Sequence, residues 1–104
     1  MKIAYIAGPY RAENWEGVKR NIAHARRVAV RYWRLGYAVF CPHLNSAHLD
    51  DVVPDEVFLA GDIAILKRCD VVVAMKTWSK SKGAAREIEL ADELQIEVIY
   101  DDTD

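Results

Sequence analysis

The sequence contains little cysteine, glycine or proline, and it has no long apolar run. Its two cysteines, Cys41 and Cys69, fit neither a CxxC pair nor a zinc-ligand spacing, so we interpret both as small buried residues rather than as reactive or paired thiols. Five glycines and three prolines among 104 residues leave no linker or low-complexity tract. The first apolar segment ends at Gly8-Pro9, too early for a signal peptide or a membrane span. We therefore expect a cytoplasmic protein.

An excess of positive charge is also missing. The formal net charge is −2, so no overall field attracts a nucleic acid polymer or an anionic membrane, and we expect neither partner. Any phosphate group must be held by local donors. Hydrophobic residues make up 52% and charged residues 29% of the chain, the balance of an ordinary globular protein. We predict one domain over residues 1–104, which buries roughly two-thirds of its unfolded surface and would gain from a second subunit.

Apolar periodicity predicts four strands that alternate with three helices. The strands are predicted at 2–7, 37–41, 70–75 and 96–100, and the helices at 14–35, 54–67 and 83–94. Asn14 is the expected N-cap of the first helix, and Gly36 occupies the place of a C′ glycine. We interpret 43–53 as a loop and the acidic residues 101–104 as a frayed end.

This alternation is typical of an α/β fold whose parallel strands are joined by right-handed crossovers. We predict a flavodoxin- or Rossmann-like three-layer sandwich, with a parallel sheet of four to five strands in the order 2-1-3-4. The switch point of such a sheet lies between its first and third strands, and ligands bind beyond the carboxyl ends of the strands there. The loops at 8–13 and 76–83 are therefore expected to bind a nucleotide-like ligand.

The first of these loops begins with the sequence GPYR at 8–11. A glycine lets backbone N–H groups approach an anion, and the guanidinium of Arg11 suits a phosphate group. A plain strand-to-helix turn with a solvated arginine accounts for the same residues. The other loop carries Ser81 and Gly83 at the start of a helix, which makes either an anion cradle or a helix capped by the serine hydroxyl. Neither a P-loop nor a GxGxxG motif is present.

Three residues stand out as candidates for chemistry. Asp62 interrupts an apolar segment of the second helix, where a carboxylate needs a task or at least a buried backbone group to satisfy. Glu87 lies one turn into the third helix, where glutamates are usually solvated. Tyr5 lies in the first strand near the switch point, and a core tyrosine is its ordinary interpretation. His43 and His48 match no zinc spacing, so we interpret them as loop residues and predict no metal site.

Three segments in a fixed order carry a family signature. They are YIAGPYR at 5–11, DIAILKRCDVVVA at 62–74 and SKGAAREIELA at 81–91. Together they resemble the nucleoside 2-deoxyribosyltransferase-like superfamily, which includes 2′-deoxynucleoside 5′-monophosphate N-glycosidases and short uncharacterised phage and bacterial relatives. The resemblance covers nearly the whole chain.

The resemblance implies a role for each matched residue. Glu87 falls on the family's catalytic glutamate, which attacks or stabilises the anomeric carbon, and Asp62 falls on a second carboxylate that contacts the sugar and assists proton transfer. Tyr5 resembles a tyrosine that orients the glutamate. The positions that resemble substrate- and phosphate-binding residues are Gly8, Pro9, Tyr10, Arg11, Ser81 and Gly83. No metal or other cofactor is implied.

We therefore expect an enzyme that cleaves or transfers at the N-glycosidic bond of a nucleoside or nucleoside 5′-monophosphate through a carboxylate-assisted mechanism. The alternative is a non-catalytic nucleotide-binding or sensing module with the same pocket. The family's habit also implies a homodimer or a higher homo-oligomer. Trp15 and Trp33 of the first helix are candidate contacts, and a solvated amphipathic helix is the other interpretation of that helix.

Overall fold

The computed structural model describes residues 1–104 and contains a four-stranded sheet with helices on both faces. The elements along the chain are β1 (Ile3–Ala7), α1 (Trp15–Arg34), β2 (Ala38–Phe40), α2 (Pro42–Asn45), α3 (Asp55–Leu66), β3 (Val71–Ala74), the 3-10 turn Trp78–Lys80, α4 (Lys82–Glu93) and β4 (Glu97–Tyr100). Every strand pair is parallel, and the strand order is β2-β1-β3-β4. The predicted α/β fold and its 2-1-3-4 order are confirmed.

The central strands β1 and β3 are covered on both faces, which is why their sequences are almost continuously apolar. Side chains alternate between the two faces along each strand. Ile6 of β1 packs on the side of α1 with Val28, whereas its neighbour Tyr5 packs on the opposite side with Ile88 of α4. That alternation brings the Tyr5 side chain to the face of the sheet that α3 and α4 cover.

Helix α1 begins and ends at the residues that its sequence predicts. The Asn14 side chain accepts a hydrogen bond from the Gly17 N–H at 2.9 Å, which satisfies a donor that the first turn leaves free. Gly36 follows the last turn with a φ of 98°, in the left-handed region where glycine carries no steric cost. Cys41 and Cys69 are free and buried, as predicted.

Two of the predictions about irregular segments are wrong. The predicted loop 43–53 begins within a short helix, α2, because Pro42 is compatible with a first helical position, where its missing N–H costs no hydrogen bond. The acidic C-terminal segment is not frayed at its start. The Asp101 N–H donates to the Ala74 carbonyl at 2.9 Å, and Arg31 of α1 donates to both carboxylate oxygens of Asp101, at 2.9 and 3.2 Å. This buried carboxylate ties the segment to α1.

Helix α3 is the least covered of the long helices. Apolar residues surround most of its circumference, yet Leu66 is its only buried residue, and the exposed fractions of Val57 and Leu59 are 53% and 62%. On the other side of the sheet, Trp15 and Trp33 of α1 expose 59% and 54% of their surface. None of the helices combines the length and the apolar character that crossing a membrane requires.

Candidate active site

A cavity of about 760 Å³ opens at the carboxyl ends of β1 and β3, at the switch point of the sheet. Its volume is in the range of pockets that hold small-molecule ligands. The loop after β1, helix α2, helix α3 and the first turns of α4 all contribute to its lining. The lining includes seven residues singled out from the sequence, namely Gly8, Tyr10, Arg11, Asp62, Ser81, Gly83 and Glu87. Tyr5 and Pro9 do not line the cavity, and both are buried next to residues that do.

A partly buried hydrogen bond joins β1 to α4 beneath this cavity. The hydroxyl of Tyr5, which is fully buried, donates to Oε2 of Glu87. Burial raises the pKa of Tyr5 well above its ordinary value, and the negative charge of Glu87 raises it further. The phenol therefore keeps its proton at any physiological pH. Tyr5 acts as a fixed donor that orients the Glu87 carboxylate.

The two carboxyl groups of the cavity are both weaker acids than usual. Burial raises the pKa of Glu87 to about 7, and the charge of Asp62 contributes to this rise, whereas the hydrogen bond from Tyr5 opposes it. Burial also raises the pKa of Asp62, to about 6. Two interacting carboxyl groups share their protons as a pair. Near neutral pH this pair therefore exists largely with one proton or none, so it can supply a carboxylate and an acid in the same cavity.

The loop after β1 is fixed by contacts on several sides. Gly8 has no side chain because a Cβ there would lie 2.1 Å from Sδ of Met75, so close packing of β1 against the end of β3 accounts for this glycine. The Pro9 carbonyl accepts a hydrogen bond from His43 at 2.8 Å. The Arg11 side chain remains largely exposed, and its guanidinium forms a surface ion pair with Asp55 at the start of α3.

Two residues at the start of α4 line the cavity, namely Ser81, which caps the helix, and Gly83, which has free space beside its Cα atom. The Ser81 hydroxyl accepts a hydrogen bond from the Ala84 N–H at 3.1 Å, so it caps the helix, and it also lines the cavity. A Cβ on Gly83 would meet only the Ser81 hydroxyl, at 3.8 Å, because that side of the glycine faces open space. Packing within the protein therefore does not explain why residue 83 is glycine, whereas the approach of a ligand would explain it.

The sequence matches the model of one protein family over nearly its whole length. A family model described as a domain of unknown function, DUF7768, matches residues 2–101. The chain belongs to this family. No curated protein gives a significant match to the sequence.

Solved structures establish a wider likeness of fold for this DUF7768 domain. A 2-deoxyribosyltransferase from the psychrotolerant bacterium Bacillus psychrosaccharolyticus is similar with a TM-score of 0.74 and 18% identity, over 94% of this chain and 70% of that chain. A 2-deoxyribosyltransferase from Leishmania mexicana is similar with a TM-score of 0.69 and 19% identity, over 100% of this chain and 66% of that chain. The fold is thus that of 2-deoxyribosyltransferases, and the domain spans about two thirds of their length. At such low identity the likeness concerns the fold, and function must be argued from the site.

Several cavity residues of this DUF7768 domain were not recognised in the sequence. His43 is buried and lines the cavity, although its sequence position suggested an ordinary loop residue, whereas His48 is exposed and lies outside the lining. Arg86 of α4 also lines the cavity and forms no salt bridge. An apolar wall comes from Phe58 and Leu59 of α3. The position of His43 after β2, at the carboxyl edge of the sheet, was the one signal that pointed to the cavity.

No group of three or more His, Cys, Asp and Glu side chains is arranged to hold a metal ion. Four acidic residues line the cavity, namely Asp50, Asp55, Asp62 and Glu87. The presence of Asp62 and Glu87 in one cavity supports acid–base and nucleophilic chemistry of carboxyl groups.

Proposed function

We propose that the protein is a cytoplasmic enzyme that cleaves or transfers at the N-glycosidic bond of a nucleoside or nucleoside 5′-monophosphate. The observation that carries this proposal is the pairing in one cavity of Glu87, held by the buried phenol of Tyr5, with the second carboxyl group of Asp62. The cavity lies at the edge of the sheet where ligands of such folds bind. The likeness of fold to 2-deoxyribosyltransferases is consistent with this chemistry.

Glu87 would act at the anomeric carbon. Breaking the N-glycosidic bond develops positive charge on the sugar, and a carboxylate beneath C1′ stabilises that charge or forms a bond to C1′ as the bond to the base breaks. The electron pair of the broken bond leaves with the base. The hydrogen bond from Tyr5 favours the ionised form of Glu87 and fixes its orientation, because the phenol donates its proton to the carboxylate oxygen.

Asp62 would handle the proton. In its protonated form it gives a proton to the departing base, and in its ionised form it takes one from the water or the second base that attacks C1′. Burial raises the pKa of Asp62 to about 6 and that of Glu87 to about 7, so between these values the free protein carries one proton on the two groups, mostly on Glu87. The proposed roles need that proton on Asp62, and the positive charge that develops on the sugar favours the ionised form of Glu87 beside it. We therefore expect a bell-shaped dependence of turnover on pH, with its maximum near that range.

The remaining sequence-predicted residues would hold the rest of the substrate. Arg11, Ser81 and the open side of Gly83 are proposed to contact the 5′-phosphate, with the loop formed by Gly8, Pro9 and Tyr10 as its support. To bind phosphate, Arg11 must exchange its partner Asp55, and an exposed ion pair of this kind contributes only about 0–1 kcal/mol. Arg86 offers a second cation at the same cavity.

We also propose that the protein assembles as a homodimer or a higher homo-oligomer. The exposed apolar side chains of α3 support this proposal more strongly than the two tryptophans of α1, because one of them, Leu59, also belongs to the cavity wall. Light scattering at micromolar concentration measures the mass directly. A monomer at all concentrations tested would contradict the proposal.

The activity is tested by a turnover screen of nucleosides and their 5′-monophosphates, with and without an acceptor base, in which chromatography measures the released base. We expect Glu87→Gln to lower the rate at least about 100-fold, in line with the loss of an essential acid–base or nucleophilic group. Glu89→Gln, on the exposed side of α4, is the matched control and should keep the wild-type rate. Equal turnover by Glu87→Gln and the wild type would remove Glu87 from the mechanism. Ligand-dependent thermal stabilisation without any base release would instead favour the non-catalytic nucleotide-binding module.

A further inference from the structure

His43 is a buried side chain that lines the cavity and contacts the loop after β1. It lies in α2, is 4% exposed, and lines the cavity with its ring centroid 6.0 Å from that of Tyr10. Its Nε2 atom lies 2.8 Å from the Pro9 carbonyl oxygen. A carbonyl oxygen only accepts, so Nε2 carries the proton.

The surroundings of Nδ1, the second ring nitrogen of His43, indicate the protonation state of the ring. Nδ1 lies 3.9 Å from Sγ of Cys41, and burial raises the pKa of that thiol to about 11, so the sulfur keeps its hydrogen. Burial also lowers the pKa of His43, although the nearby carbonyls of Pro9 and Gly8 favour its charged form. The ring is therefore neutral and held in one tautomer near pH 7.

Side chains hold three successive carbonyl groups of the loop after β1. His43 holds that of Pro9, and the side-chain amide of Asn21 in α1 donates to those of Tyr10 and Arg11, at 3.0 and 3.4 Å. The backbone N–H groups of Tyr10 and Arg11 make no hydrogen bond to another protein group. Successive free N–H groups in a turn form a concave site for an anion. Both residues line the cavity.

We propose that His43 is a positioning residue of the substrate site, which holds the Pro9 carbonyl so that the N–H groups of Tyr10 and Arg11 stay available to the anionic group of the substrate. The inference rests on the function proposed above. It adds a residue from α2 that acts through the loop and not on the reacting atoms. Asn21 supports the same loop from the side of α1.

The test compares two substitutions of similar size. The amide nitrogen of a glutamine reaches nearly the position of Nε2 and donates to the Pro9 carbonyl, whereas a methionine fills the space without donating. With the four 2′-deoxynucleoside 5′-monophosphates and their nucleosides, we expect His43→Met to raise KM for the monophosphates about 5- to 10-fold with little change in kcat, as expected for the loss of one hydrogen bond. His43→Gln should stay within about 2-fold of the wild type, and the nucleosides, which lack the phosphate, should respond less to either change.

A second measurement follows the loop itself and does not depend on turnover. Trypsin cleaves after Arg11 faster when the loop is held less firmly in its folded conformation, and mass spectrometry identifies that cut. We expect His43→Met to be cut at Arg11 several-fold faster than the wild type and His43→Gln to be cut at the wild-type rate. Each protein is digested at the same number of degrees below its own melting temperature.

The two measurements separate this inference from the proposed function. If the wild type neither binds nor turns over any nucleoside or monophosphate, the proposed function fails, and with it the anion-binding part of the inference. Trypsin cleavage still decides whether His43 holds the loop. A KM and a cleavage rate that are both unchanged in His43→Met would overturn the role of His43. A His43→Gln variant as impaired as His43→Met would overturn the role of the hydrogen bond.

Discussion

The two faces of the sheet are built for different purposes. On one face, α1 buries Ala25, Val28, Ala29 and Tyr32 against β1 and β3, and the C-terminal segment is tied to the same helix through Arg31 and Asp101. On the other face, α3 buries only Leu66, and several of its residues line a cavity of about 760 Å³. We expect the packed face to carry most of the stability, whereas the open face carries the two carboxyl groups, Asp62 and Glu87, whose pKa values burial raises.

The strand β1 serves both faces with alternate residues. Ile6 is fully buried in the cluster under α1, and Tyr5 is fully buried in the cluster under α4. The difference lies in what each contacts, since Ile6 meets apolar side chains while the Tyr5 hydroxyl meets a carboxylate. A functional site that buries a carboxylate gives up stability, and a well-packed opposite face offsets that loss.

Deleting the same side-chain atoms on the two faces is the strongest test of this contrast. Ile6→Ala removes a fully buried side chain under α1 and should lower the free energy of unfolding by about 2–5 kcal/mol. Ile63→Ala on α3 removes a partly exposed side chain from the cavity wall and should cost no more than about 1 kcal/mol. Urea denaturation measures both values. Equal losses would show that the α3 side of the sheet is packed as tightly around Ile63 as the α1 side is around Ile6.

The packed face was also the part of the molecule most open to prediction from sequence. The spacing of apolar residues in α1, its Asn14 cap and the continuous apolar run of β3 are local signals, and each is found as expected. The strand order follows from general rules of parallel sheets. Those rules also bring Asp62 and Glu87 to one edge of the sheet, where the structure places both in the same cavity.

The side-chain contacts around the cavity cannot be predicted from short stretches of the sequence. His43 and Pro9 are 34 residues apart in the sequence, and Arg11 and Asp55 are 44 apart. Whether such side chains meet depends on how loops and short helices pack, and periodicity within one element does not report on that. The tie between Arg31 and Asp101, 70 residues apart, was missed for the same reason, because a run of acidic residues at a terminus is usually solvated.

The dependence of stability on pH sharpens the contrast between the faces. Burial raises the pKa of Glu87 from an ordinary value of 4.5 to about 7, so over that range the folded protein binds more protons than the unfolded chain. Its stability should therefore fall as the pH rises from about 4.5 to 7. Glu87→Gln cannot ionise, and we expect it to be about 1–3 kcal/mol more stable than the wild type at pH 8, because one unit of pKa shift corresponds to about 1.4 kcal/mol.

Denaturation of both proteins at pH 5 and pH 8 measures this effect. The advantage of Glu87→Gln should shrink at pH 5, where the carboxyl group of the folded wild type is itself protonated. The exposed Glu89→Gln variant should follow the wild type at both values. If the free energy of unfolding changes equally between pH 5 and pH 8 in Glu87→Gln and in the wild type, burial of the Glu87 carboxylate does not destabilise the protein.

Gly83→Ala makes the smallest change and separates the demands of the fold from those of the ligand. Residue 83 lies in the first turns of α4, and a Cβ there contacts nothing closer than the Ser81 hydroxyl at 3.8 Å. An alanine should therefore stabilise the helix by about 0.5–1 kcal/mol, since it has the higher helix propensity and restricts the unfolded chain. The same methyl group points into open space at the cavity, so we expect a several-fold rise in KM for the monophosphates together with a higher melting temperature. Gly61→Ala in α3, where a Cβ also meets nothing within 4 Å, is the matched control that should stabilise without changing KM. A stabilised Gly83→Ala variant with an unchanged KM would show that no ligand approaches this helix, and would move the phosphate site to the loop after β1 alone.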